Sequence, residues 1–314
     1  MRSKGRLEET GVPAQLIDGK SISQEIIEEV KTRIAESGVV PHLVAIQAGE
    51  DPASMYYVRN QKKKAEAVGM RYTLRQLPGD ASQGALIEEI HKLNDDPDVT
   101  GVILQMPLPE GVDRRAVQRE IDYRKDVEGI TPTSLGLILQ DRPVMVPCTA
   151  LGAVELLHRV MERTGDRIEG KNCVIVGRSE IVGKPVAMLM LSMSRSATVT
   201  VCHSRTRNLN EVIGGADVLF AAVGRPMLIK GDWIRDGAVV IDVGINRIPM
   251  TDEQGNPVLN EKGRQRYRTV GDVEFEAAKD RAAWITPVPG GVGPMTTAIL
   301  MRNTFEAAER LRSG

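Results

Sequence analysis

Apolar positions along the chain switch repeatedly between helical and strand spacing. Between Ser23 and Ala35, the residues Ile26, Ile27, Val30 and Ile34 recur on one helical face. A short apolar run from Leu43 to Gln47 reads as a strand, and a helix from Ser54 to Val68 is predicted after Asp51-Pro52. A strand from Tyr72 to Leu77, a helix from Gln83 to Leu93 and a strand from Gly101 to Gln105 follow. The alternation resumes with a helix from Ala150 to Thr164. Strands are then expected at Val174–Val176, Ala197–Cys202, Val218–Ala222 and Val239–Val243, and a last helix from Thr296 to Leu311. Strands separated by helices imply an α/β fold with mostly parallel sheets under covering helices.

Three interruptions organise this pattern. Met106-Pro107-Leu108-Pro109 suits neither helix nor central strand, because prolines lack N–H groups and restrict the residues before them. It reads as a rigid loop at the carboxyl end of a strand, where α/β proteins place ligands. The polar stretch Met250 to Arg268, with Gly255, Asn256, Pro257 and Gly263, reads as an extended surface hairpin. The run Thr286 to Pro294 is too rigid and apolar for a flexible linker, and is expected to return the chain to the first domain while shaping a cleft. The 314 residues suit two domains, each able to bury a core. The expected division is residues 1–149 with 296–314 against residues 150–295.

Composition narrows the class. A net charge of -1 gives no support for a nucleic-acid partner. Three scattered cysteines make no disulfide framework and suggest a reducing compartment, and four histidines without ligand spacing argue against a metal site. No apolar run approaches the roughly 20 residues that span a bilayer. The first ten residues carry both charge signs and no apolar core, so they read as a frayed tail and not a signal peptide. A soluble cytoplasmic enzyme is the expectation.

The most informative stretch is Cys173 to Met190, C-V-I-V-G-R-S-E-I-V-G-K-P-V-A-M-L-M. A β-branched run breaks at Gly177, polar residues and Gly183 follow, and a helix-forming segment begins. Strand, glycine turn and helix in that order describe a dinucleotide site, although the spacing is not G-x-G-x-x-G. Alone, such a turn serves equally well as structural punctuation. The next strand ends in His203-Ser204-Arg205-Thr206-Arg207, where an acid would bind the ribose of NAD and a basic residue would accept the 2′-phosphate of NADP. No acid is present. Arg178, Ser179, Ser204 and Arg205 are therefore candidate NADP contacts with Gly177, Gly183 and Gly224, set against a solvated Arg-rich loop.

Several segments together resemble the bifunctional methylenetetrahydrofolate dehydrogenase/cyclohydrolases. They are Tyr57-Val58 with the lysine-rich helix, the Gln105–Pro109 run, Lys125-Asp-Val-Glu-Gly129 and Pro147-Cys-Thr149, then Val176–Pro185, Asp242–Asn246, Gly271–Val273 and Thr286–Thr296. The Thr-Pro-Val-Pro-Gly-Gly-Val-Gly-Pro-Met-Thr block is the most specific. The resemblance implies two α/β domains around a cleft, the second Rossmann-like, with the C-terminal helix returning to the first. It implies a homodimer joined through the nucleotide domain and tetrahydrofolate derivatives as substrates. It also implies that Tyr57 stacks on the folate rings, that Gln105 bonds near the reacting centre, and that Asp126 and Glu128 meet the pterin. Pro289, Gly290 and Gly291 would flank the folate, and Ile245 the nicotinamide half. Thr149 suits a helix cap at least as well as a ligand contact.

Two positions depart from the family pattern. Gln61 stands where the family carries a lysine one turn after the tyrosine, and Glu128 where it usually carries aspartate. A glutamine cannot carry a proton at neutral pH, and loss of a positioned acid/base costs about 10²–10⁴ in rate. The expectation is a competent NADP-dependent dehydrogenase with a weak or absent cyclohydrolase. The alternatives are the full bifunctional enzyme, with Lys62 or Lys64 replacing the missing lysine, and a folate- and nucleotide-binding protein without turnover.

Overall fold

The computed structural model describes residues 13–252 and 254–313, so the expected N-terminal tail lies outside the described residues. The chain opens with β1 (Gln15–Leu16) and α1 (Gly19–Ser37), then β2 (His42–Ala48), α2 (Pro52–Ala67), β3 (Arg71–Leu77), α3 (Gln83–Asp95) and β4 (Gly101–Leu104). Strands β3, β2 and β4 form a parallel three-stranded sheet in that order. Its strands alternate strictly. Leu43, Ala45 and Ile103 enter the same apolar cluster as Ala65 of α2 and Val68 just after it, whereas Val44, Ile46, Val102 and Leu104 pack with Leu86, Ile90 and Leu93 of α3. Local chemistry starts both helices, α1 at Gly19, a turn before the expected Ser23, and α2 directly after Asp51. Asp18 Oδ1 accepts from Lys20 N (3.0 Å) and Ser21 N (3.1 Å), and Asp51 Oδ2 accepts from Ser54 N at 2.7 Å.

Two short helices follow, α4 (Arg114–Gln118) and α5 (Pro132–Leu139), and then the long α6 (Cys148–Thr164). The second unit comprises β5 (Asn172–Val176), α7 (Gly183–Leu191), β6 (Thr198–Cys202), α8 (Leu209–Gly214), β7 (Val218–Ala221) and β8 (Val239–Asp242). The hairpin strands β9 (Asn246–Pro249) and β10 (Tyr267–Val270), α9 (Phe275–Lys279), β11 (Trp284–Ile285) and α10 (Val292–Ser313) complete it. The six-stranded sheet runs β1-β11-β8-β7-β5-β6, all parallel.

Two expectations change. The strand β1 belongs to the second sheet, since Gln15 N and Ile17 N donate to Ala283 O and Ile285 O at 2.9 Å; residues 15–16 therefore do not follow the 1–149 assignment. Only two residues pair there, too few to leave a period in the sequence. Helix α10 begins at Val292, a turn before the expected Thr296. Pro294 fits because the first turn of a helix has no intrahelical use for its N–H groups. The expected surface hairpin is present, with Tyr267 opposite Pro249 and Val270 opposite Asn246. Among the described residues, no helix is long and apolar enough to cross a membrane.

Helix α10 packs against α1 and α6, bringing Met295, Ile299 and Phe305 into the largest apolar cluster. At the end of α3, Lys125 is 5 % exposed and donates Nζ to Leu93 O (2.9 Å), Asn94 O (2.7 Å) and Asp96 O (2.6 Å). The lysine thus caps the carboxyl end of α3 and anchors the loop that follows α4. Burial pulls its ammonium below the ordinary lysine value. Lys125→Met should cost about 2–4 kcal/mol in urea unfolding, because three carbonyls lose a charged donor; an unchanged midpoint would refute this role.

Candidate active site

Helix α2 lies over the carboxyl ends of β2 and β4. Gln105, 8 % exposed just after β4, donates Nε2 to Gln61 Oε1 at 2.7 Å across a separation of 44 residues. The Tyr72 hydroxyl of β3 donates to the same oxygen at 3.4 Å. Tyr57 is one helical turn before Gln61 and projects into solvent. Gln105 thus meets position 61 across the fold, with the Gln61 amide oxygen as its acceptor. Burial pushes the Tyr72 phenol well above its ordinary value, so it remains a donor at neutral pH.

The lysines after Gln61 have different surroundings. Lys62 is exposed and pairs with Glu66 at 3.8 Å. Lys64 is half-buried, and desolvation alone lowers it from its ordinary value. Among the described residues no carboxylate lies within ion-pair distance of it. Helical side chains lean toward the N-terminus over the preceding turn, which directs Lys64 back toward Gln61.

The two loop acids also separate. Asp126 is fully buried, accepting from Ile130 N (3.1 Å), Thr131 N (2.8 Å) and Ser134 Oγ (2.7 Å). Both its oxygens are used by its own loop, so the expected pterin contact is corrected to a structural role at the start of α5. Glu128 is half-buried, and no hydrogen bond ties its carboxylate among the described residues. Burial, and then the charge of Asp126, push it up to about 8. Thr149 does not cap α6, which it enters in the first turn; its hydroxyl meets that of Thr296 on α10 at 3.3 Å.

The other candidates line the carboxyl edge of the six-stranded sheet. The Gly177 turn follows β5, whose neighbours are β6 and β7, so it lies at the topological switch point. Gly177 has φ 138°, and a Cβ there would strike the Ala222 carbonyl; one on Gly183 would strike the Gly177 carbonyl. These glycines serve close packing within the turn. Ser179 Oγ accepts from Val182 N (3.2 Å) and Gly183 N (3.4 Å), closing the start of α7. Arg178, Ser204 and Arg205 are exposed at the ends of β5 and β6. Among the described residues neither arginine has a carboxylate within ion-pair distance. Such unpaired guanidinium groups suit a phosphate dianion.

Past β7 and β8, Gly224 is open and Ile245 is 64 % exposed. Ile245, Thr269 and the Pro287–Pro294 loop enclose a cavity of about 140 Å³. Lys20 N donates to Gly290 O at 3.1 Å, fixing this loop to the start of α1. Two grooves of about 610 Å³ lie elsewhere, one beside α6 and one between α5 and α7. Both carry charged side chains as well, among them Glu162 and Arg195 in the first and Arg115 and Lys184 in the second. Among the described residues, no group of His, Cys, Asp and Glu could hold a metal ion.

Sequence reasoning missed several polar residues. Tyr72 counted only as a strand residue. Gln47 Oε1 and Ser54 Oγ, at the end of β2 and the start of α2, are buried without a hydrogen-bond partner among the described residues. Asp242 and Asp272, inside quoted motifs, are buried and bind loop N–H groups. A lone polar residue in an apolar run is the one signal that could have marked Gln47 and Asp242.

A parallel sheet with a glycine turn at its switch point, facing basic residues at the next strand end, defines a nucleotide-dependent α/β enzyme class. Comparison with known proteins then gives the family. Residues 17–128 match the catalytic domain of tetrahydrofolate dehydrogenase/cyclohydrolase, and residues 147–312 match its NAD(P)-binding domain. A Moorella thermoacetica protein named Bifunctional protein FolD is 47 % identical over 302 residues, covering 95 % of this chain and all of that one. Similar solved structures include the Trypanosoma brucei methylenetetrahydrofolate dehydrogenase-cyclohydrolase with NADP and an inhibitor (TM-score 0.83, 36 % identity, 96 % and 100 % coverage). A Bombyx mori 5,10-methylenetetrahydrofolate dehydrogenase superposes with TM-score 0.84 at 37 % identity, with the same coverage. The chain belongs to the tetrahydrofolate dehydrogenase/cyclohydrolase family.

Glu128 generates a stability test. Unfolded, it ionises near 4.5; folded, near 8. The folded state binds the extra proton between those values, so stability falls as pH rises through that window. Glu128→Gln should flatten the fall and raise Tm at pH 9 by at least about 2 °C relative to the parent, equivalent to about 1 kcal/mol. Parallel Tm-versus-pH curves would contradict this.

Proposed function

We propose that this chain oxidises 5,10-methylenetetrahydrofolate to 5,10-methenyltetrahydrofolate with NADP, and then hydrates the product to 10-formyltetrahydrofolate. The carrying observation is the Gln105–Gln61 hydrogen bond one turn from Tyr57, which joins two folate motifs distant in sequence. Names of relatives such as the Moorella thermoacetica protein support both steps, and favour them over the loss of the second step that Gln61 led the sequence to suggest. Residues up to 149 with the last helix would hold the folate, and residues 150–295 the nucleotide.

Arg178, Ser204 and Arg205 would take the 2′-phosphate, with Ser179, Gly224 and Ile245 along the rest of the cofactor. When bound, NADP accepts a hydride. This chain's residues contribute placement to that step: Tyr57 against the folate rings, Glu128 on the pterin N–H edge, and the Pro289-Gly290-Gly291 backbone beside them. Ionised Glu128 accepts two N–H bonds, so folate binding should tighten as pH approaches 8. For the hydration step, Lys64 is the proton carrier this reading requires. Its desolvated ammonium lies one turn beyond Gln61, whereas Lys62 is committed to Glu66. A homodimer through the nucleotide unit is part of the proposal. Its support is the edge position of β6, where Val201 is 40 % exposed, and the exposure of Met193 between α7 and β6. Three buried free cysteines suit a cytoplasmic setting.

One observation favours a second reading with an impaired cyclohydrolase: Gln61 carries no titratable proton. Purified protein with methylenetetrahydrofolate and NADP, followed for NADPH, methenyl absorbance and 10-formyl product, separates the two. Matching NADPH and 10-formyl rates support the bifunctional reading, and Lys64→Gln should then slow hydration about 10²–10⁴-fold while NADPH formation continues. Methenyl product hydrolysing no faster than without enzyme supports the second reading, and Gln61→Lys should restore a similar factor. Absence of NADPH would refute both.

A further inference from the structure

Asp272 is fully buried, yet its carboxylate accepts four N–H bonds. Oδ2 takes Val223 N at 2.6 Å and Gly224 N at 2.9 Å; Oδ1 takes Arg225 N and Asn246 Nδ2, both at 2.9 Å. Its own backbone is held in turn. Asp242 Oδ1 accepts from Asp272 N at 3.0 Å and from Gly244 N at 2.9 Å, and Asp242 Oδ2 accepts from Val273 N at 2.9 Å. Gly244 allows this approach, since a Cβ there would strike the Asp272 carboxyl group.

These bonds lie just past the ends of β7 and β8, strands already paired from Val218 to Ala221 and Val239 to Asp242. The sheet needs no further support there. What the carboxylate orders is the turn 223–225 and Asn246, the residue after exposed Ile245. Three consecutive N–H groups converging on one carboxylate form an anion-binding turn whose anion is supplied from within the protein. The turn thus presents its outer surface, including open Gly224, to the nucleotide side.

We infer that Asp272 is a positioning residue for the cofactor, acting through the 223–225 turn and through Asn246 on Ile245. The inference rests on the NADP reading above and adds to it a specific residue that touches neither substrate. Asp272→Asn keeps the shape but turns an amide N–H toward a backbone N–H, breaking one half of the set. NADP affinity measured by calorimetry, and its KM in the NADPH assay, should weaken by at least about tenfold, with the folate KM within about twofold. Asn246→Ala removes a single bond and leaves the three backbone bonds, so it should weaken NADP by about three- to tenfold. It decides the matter should Asp272→Asn fail to fold.

A parent protein that does not bind NADP would overturn the functional reading itself. A parent that binds NADP, with variants that bind it equally well or lose NADP and folate affinity together, would overturn the role of Asp272. Lower Tm with unchanged NADP KM would reduce Asp272 to a structural residue.

Discussion

Asn303 lies 2 % exposed in the middle of α10 and donates its amide to Val127 O (2.9 Å) and Val146 O (3.1 Å). Those carbonyls flank the Glu128 loop on one side and the entry to α6 on the other. A buried amide that satisfies two buried carbonyls is costly to displace, because each loses a partner with no water to replace it. Around it, the apolar face of α10 packs on α1 and α6. This contact holds the first sheet, the Glu128 loop and the glycine-rich loop in one relation. Every side chain assigned to the cleft depends on that relation for its place.

The cleft concentrates charges that water no longer solvates. Lys125 and Asp126 are buried and fully bonded, so they position the loop, whereas the Glu128 carboxylate has no hydrogen bond among the described residues. Glu128 remains high in pKa because burial and a neighbouring carboxylate both oppose its ionisation. A site of this kind pays in stability for a group a ligand can satisfy. The Tyr72–Gln61–Gln105 chain is different in kind: it is neutral and fixes geometry without carrying a proton.

The second sheet solves a related problem with buried acids. Asp242 is raised to about 7 by burial, although three backbone N–H groups oppose the shift. Along with Asp272, it ties loops that follow different strands, which local sequence cannot do. The glycines of the β5–α7 turn similarly serve packing, since their missing Cβ positions are filled by neighbouring carbonyls. The turn is therefore shaped by contact across the fold as well as by any ligand.

Long periodic elements were legible in the sequence because helix and strand spacing is a local property, as α2, α3, α6 and the core strands demonstrate. The family motifs likewise sit in contiguous runs, and position 61 is read directly as glutamine. Short pieces such as β1, β11, α4 and α9 left no period to read, and β1 takes its sheet from a partner near residue 284. Which acid stays free was also a tertiary outcome: Asp126 and Glu128 are neighbours in sequence, but only the fold turns one into its own loop and leaves the other without a bond. The burial of Lys64 is likewise set by what packs on α2, whereas the Lys62–Glu66 pair is an i,i+4 contact local to the helix. Residue type sets what chemistry a position can perform, and desolvation and hydrogen bonding from distant segments decide whether it is free to do so.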